Sequence, residues 1–141
     1  MTPRINFVTL GVADVARSRA FYERLGLKSS NSGNASVAFF DANGVVLSLF
    51  GHDSLAEDAG VEPQSPPAFR GVSLAWNAAS EVDADRIFEH AVACGARPVK
   101  TPQKVFWGGY SGYFADPDNH LWEVAFNPFF PLSSEGRVLL P

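Results

Sequence analysis

One cysteine, one methionine and no unbroken apolar stretch of membrane-spanning length set the first limits on this chain of 141 residues. Cys94 has no second cysteine with which to form an internal disulfide, and its place in an amphipathic pattern reads as a half-buried core thiol rather than a nucleophile. A bilayer span needs about 18 or more consecutive apolar residues, and none is present. The opening Met1-Thr2-Pro3-Arg4 lacks the apolar core of a secretory leader, so cytoplasm is the expected compartment and no membrane partner is expected. Positive charge is also scarce. There are 11 Lys and Arg against 15 Asp and Glu, a formal net charge of -4, and the basic residues are scattered. A phosphate-binding face needs them clustered, so nucleic acid is not an expected partner; a neutral or cationic small molecule suits the balance better.

What is abundant is core-forming material: 46% of the residues are hydrophobic and 13% aromatic, enough for one ordinary domain without staples. Ile5 to Val12 is rich in β-branched residues and reads as a strand. Asp14 then caps a helix over Val15 to Leu25, which Gly26 stops; Val15, Ser18, Ala20, Phe21 and Leu25 share its inner face. A polar Ser/Asn/Gly turn leads to strands over Ala35 to Phe40 and Val45 to Phe50, joined by Asp41-Ala42-Asn43-Gly44, whose Asn-Gly supplies the positive φ angles of a tight hairpin. Ser54 to Gly60 reads as a short helical turn. Glu62-Pro63-Gln64-Ser65-Pro66-Pro67 can continue neither helix nor sheet. The order then repeats: a strand over Gly71 to Trp76, a helix capped by Ser80 with Val82, Ile87, Phe88, Ala91 and Val92 as its buried stripe and Gly95 as its stop, a short strand marked by Val99, and strands over Trp107 to Phe114 and His120 to Phe126.

This recurrence, at an offset of about 65 to 75 residues, points to an internal duplication. It divides the single domain into a first module (1–60), a linker (61–69), a second module (70–128) and an apolar tail (129–141). That tail, with Pro128-Phe129-Phe130-Pro131-Leu132, is too apolar to hang in water and should pack across the barrel mouth or on a partner subunit.

Two motifs carry a resemblance. The opening Val12-Ala13-Asp14 turn, Ser18-Arg19-Ala20-Phe21-Tyr22 and Leu25-Gly26, with the later hairpin Phe114-Ala115-Asp116-Pro117-Asp118-Asn119-His120-Leu121-Trp122-Glu123, resemble the vicinal oxygen chelate superfamily of glyoxalases, bleomycin resistance proteins and extradiol dioxygenases. The resemblance implies an α+β fold of two βαβββ modules forming a cup-shaped pair of half-barrels, expected as a homodimer. It places metal-ligand slots at Phe7, Ser48, Ser73 and Glu123. Of these only Glu123 is a competent ligand: a phenyl ring has no lone pair to donate, and serine hydroxyls are poor unassisted ligands for transition metals. His52, His90 and His120 have no i, i+4 partner among themselves and do not repair the deficit. No metal and no cofactor are therefore expected.

Two functions follow as alternatives. One is a binder of a small organic ligand in an aromatic-lined cavity, with Phe7, Ser48, Ser73, Trp107, Tyr110 and Glu123 as contacts. The other is a superfamily enzyme of glyoxalase, dioxygenase or epimerase type, in which Glu123 serves as catalytic base or in an atypical metal site. The scaffold hosts both, so fold does not separate them. Alternation along the last strand turns Trp122 away from Glu123 and sets Leu121 on the side of Glu123; Phe7 and Ser73 are expected to look the same way.

Overall fold

The computed structural model describes residues 1–141 and divides into two compact units, 1–68 and 69–141. In the first, β1 (Phe7–Val12), α1 (Val15–Leu25), β2 (Val37–Asp41), β3 (Val46–Gly51) and α2 (His52–Asp58) follow in order. Asp14 caps α1 by accepting from the amide of Arg17 at 3.0 Å, and Gly26 ends it at φ 122°. The helix buries Ser18, Phe21, Tyr22 and Leu25. Tyr22 thus joins the inner face expected from spacing, its ring 5.0 Å from Phe21 and 6.0 Å from Phe40. The sheet order is β1-β3-β2, with β3 parallel to β1 and antiparallel to β2. Asn43 at φ 63° and Gly44 at φ 103° make the tight turn that the Asn-Gly pair predicts. Where a fourth strand of the module would run, only Ser29 bridges Phe40. The Ser/Asn/Gly run that follows has too few β-branched or aromatic residues to sustain a ladder, and Arg19 donates to the carbonyls of Asn34 and Val37 to hold it. α2 begins at His52, two residues earlier than expected, directly as β3 ends.

The second unit contains β4 (Ser73–Asn77), α3 (Glu81–Ala93), β5 (Arg97–Lys104), β6 (Tyr110–Ala115) and β7 (Leu121–Phe126), in sheet order β4-β7-β6-β5. Ser80 caps α3 through the amide of Asp83 at 3.1 Å, and the Asp83 carboxylate accepts from the Ala79 amide at 3.0 Å. The buried stripe is Ala84, Ile87, Phe88 and Ala91. Val82 and Val92, expected in it, are exposed: at about 100° per residue, position 82 falls opposite the stripe and 92 at its margin. Beneath the helix, Phe114 stacks on Trp122 with ring centroids 6.0 Å apart. β5 is a full eight-residue strand rather than the short one expected around Val99. Its Pro98 and Pro102 obscure it in the sequence, but as the sheet edge it can omit amide donors, and its ladder is interrupted beside both prolines. The tail belongs to this unit: Leu132 bridges Val138, and the Phe129 ring lies against Gly108.

The two units repeat one arrangement. In the first, Thr9, Ser48 and Phe39 stand in register across β1, β3 and β2. In the second, Ala75, Glu123 and Tyr113 stand in register across β4, β7 and β6. Ser48 and Glu123 are therefore equivalent positions, as the duplication requires. The segment 61–69 between the modules forms neither helix nor strand. No helix is long and apolar enough to cross a membrane.

Candidate functional site

Strand register on the second sheet assembles a polar row. Lys100 on β5 pairs with Tyr113 on β6, and Tyr113 pairs with Glu123 on β7. Paired residues project from one face of a sheet, and this face is the one turned away from α3, since Trp122 and Phe114 take the other side. The Tyr113 hydroxyl donates to Glu123 Oε2 at 3.2 Å. Burial pushes the Tyr113 phenol above its ordinary 10.0, and the negative charge of Glu123 and the hydrogen bond to it push it further. A phenol so held keeps its proton through the neutral range.

Beside this row lies an open depression of about 380 Å³. Lys100 and Tyr113 line it together with Ser73 and Leu121, which pair across β4 and β7. Its rim is Phe69, Val72 and Val99, whose side chains remain 67%, 62% and 45% exposed. Folding has left three large apolar groups in water around one concavity, where a covering molecule would remove them from it.

The residues expected from sequence fall in different places. Ser73 lines the depression, and Glu123 touches it through Tyr113. Tyr110 lies on the opposite face: its hydroxyl donates to Asp85 of α3 at 2.8 Å, and that bond, then burial, then the charges of Asp85 and Glu81 raise its pKa. Trp107 sits in the turn between β5 and β6, where its ring covers Gly109; a Cβ there would stand 1.8 Å from the ring. Phe7 and Ser48 belong to the first sheet. Phe7 is 56% exposed and meets Phe39 edge-on at 6.2 Å, whereas Ser48 is buried with its hydroxyl 2.6 Å from that of Thr9. Alternation does not mark Lys100, Phe69 and Val72 as site residues, because a proline-flanked strand and a linker end conceal it, and Val99 marks a strand in the sequence without a place in a site. Leu121 was placed on the Glu123 side by alternation, and it lines the depression.

The four slots do not fit a divalent ion. Phe7 offers no donor, Ser48 is engaged with Thr9, Ser73 is a neutral hydroxyl, and Glu123 alone is anionic. Nowhere do three or more His, Cys, Asp or Glu side chains stand together as a metal site would need. The histidines are engaged locally. His120 Nδ1 is 2.8 Å from the buried carboxylate of Asp116, which also accepts the amides of Asp118 and His120; His52 is 3.0 Å from Asp53, and His90 is within 3.7 Å of the Cys94 sulfur.

Repetition of one strand-helix-sheet unit, with Ser48 and Glu123 at equivalent places, defines a duplicated α+β fold. The chain belongs to the Glyoxalase/Bleomycin resistance protein/Dioxygenase superfamily, whose family model matches residues 4–124. It is 31% identical over 120 residues to the metallothiol transferase FosB of Lysinibacillus sphaericus, covering 84% of this chain and 79% of that protein. Among solved structures, a glyoxalase-related enzyme from Fulvimarina pelagi superposes with a TM-score of 0.89 at 34% identity over 99% of both chains. A glyoxalase/bleomycin resistance protein/dioxygenase from Nocardioides gives 0.77 at 28% identity, over 89% of this chain and 84% of that one.

Proposed function

We propose that this protein binds a small organic ligand on the open face of its second sheet, using its own side chains and no metal ion. The observation that carries the reading is the depression itself, with Phe69, Val72 and Val99 exposed around a floor that includes Leu121 and Tyr113. Covering apolar surface contributes about 25 cal/mol per Å², so a ligand of modest size gains several kcal/mol here before orientational costs. Ser73 and Tyr113 supply the polar contacts that orient it, with Glu123 holding the Tyr113 hydroxyl. The name of the Lysinibacillus relative implies a metal and a thiol for that protein; the slots Phe7, Ser48, Ser73 and Glu123 of this chain favour neither. A homodimer in the cytoplasm remains part of the proposal.

The test is amide chemical-shift mapping with naphthylmethanol as a neutral probe, in the presence of a metal chelator. Shifts clustered at Ser73, Val99, Tyr113 and Leu121, lost in Leu121→Lys, support the reading. Shifts elsewhere, or binding only when chelator is omitted, defeat it. A second reading, an enzyme, is favoured by the Tyr113–Glu123 pair, because a phenol hydrogen-bonded to a carboxylate can hold or pass a proton. Proton exchange from a carbon acid, abolished by Glu123→Gln while ligand affinity persists, would select it.

A further inference from the structure

One cation lines the proposed ligand position, and what it implies rests on that position being right. Lys100 is the one charged residue among those lining the depression. Arg70 lies between Phe69 and Gly71, both lining residues, and its Nη1 is buried with no hydrogen-bond acceptor. Arg70 does not itself line the depression, and its unpartnered guanidinium nitrogen, costly to withdraw from water, shows only that its own surroundings are short of negative charge. The carboxylate of the row, Glu123, sits at its far end, beyond the Tyr113 hydroxyl that it binds. Cation, phenol and carboxylate thus run in order from β5 to β7. An anion is drawn to the β5 end and repelled from the β7 end, which fixes its orientation as well as its sign.

We propose that the depression takes an organic monocarboxylate, with its apolar body against Phe69, Val72, Val99 and Leu121 and its carboxylate on Lys100. The expectation from net charge alone is a neutral or cationic ligand, and a total of -4 favours that at long range. Locally the order is reversed, because the one charged lining residue, Lys100, is positive and acts at contact distance.

Three probes with one apolar body separate the possibilities: naphthoate, naphthylmethanol and naphthylmethylammonium, each titrated by amide shifts in the intact protein. Naphthoate should bind about tenfold more tightly than the alcohol, as expected of a charge-assisted contact, and the ammonium more weakly than either. The preference should shrink as salt is added. Lys100→Gln should abolish it, and Lys100→Arg should retain it. Equal binding of alcohol and carboxylate overturns the carboxylate assignment and leaves the depression as the ligand site, whereas a preference that survives Lys100→Gln overturns the placement on Lys100. A preference lost in Arg70→Gln but not in Lys100→Gln overturns the placement on Lys100. No shift at the depression from any of the three overturns both this inference and the proposed function beneath it.

Discussion

Replacing Gly109 with alanine isolates what Trp107 does. A Cβ at position 109 would stand 1.8 Å from Cζ3, 2.1 Å from Cη2 and 2.7 Å from Cε3 of the Trp107 ring, whereas Gly109 itself has no left-handed φ that would strain alanine. The backbone therefore accepts the change and the indole does not. Moving a packed ring aside costs about 1–3 kcal/mol. For a chain of this size each kcal/mol lowers Tm by roughly 2–4 °C, so Gly109→Ala should lose several degrees in a thermal melt. In a Trp107→Ala background the clash disappears and only the backbone effect remains. There the same substitution should be neutral or stabilising by about 0.4–1 kcal/mol, because alanine restricts the unfolded chain. The sign of the effect reverses, and the coupling energy from the cycle should reach about 1 kcal/mol or more. An alanine at 109 that leaves Tm unchanged, or costs as much without Trp107 as with it, would show that the ring does not rest on Gly109.

Three further outcomes follow. Tyr110 and Tyr113 have folded pKa values raised above 10.0, so their contribution to stability is complete below pH 10 and declines as pH rises through the folded values; urea midpoints should fall in that window and fall less in Tyr113→Phe. Glu123→Gln removes the charge near Tyr113 but not its burial, so phenolate absorbance should show the Tyr113 titration moving down only part of the way toward the ordinary value. Asp116→Ala strips the acceptor from the amides of Asp118 and His120 and from the His120 ring, costing about 1–3 kcal/mol for each donor left buried; an unchanged denaturation midpoint would refute that role.

Both long helices were legible in the sequence because their caps, Asp14 and Ser80, and their stops, Gly26 and Gly95, are local signals. The Asn43-Gly44 hairpin was legible for the same reason. Faces were legible only within a strand. Alternation along β7 correctly opposes Trp122 to Glu123, but carrying it to β6 needs the register, and the pairing of Tyr113 with Glu123 puts Tyr110 on the helix side. A one-residue difference in register exchanges the two faces. Lys100 escaped notice because Pro98 and Pro102 hide the period of an edge strand. Of the slots taken from resemblance, Ser73 and Glu123 fall on adjacent strands of the second sheet, Ser73 pairing with Leu121; whether a slot's hydroxyl is spent on a neighbour, as Ser48 is on Thr9, depends on packing that no single strand reveals.

We propose that Phe7, Ser48, Ser73 and Glu123 hold no ion and that the chain's own side chains bind the ligand. Elemental analysis of protein purified without chelator, followed by thermal melts with added zinc, nickel, manganese and iron, tests it most directly. We expect far less than one ion per chain and no shift in Tm. One tightly held ion per chain, stabilising by about 4 kcal/mol at a thousandfold excess over its dissociation constant and lost in Glu123→Gln, would contradict it.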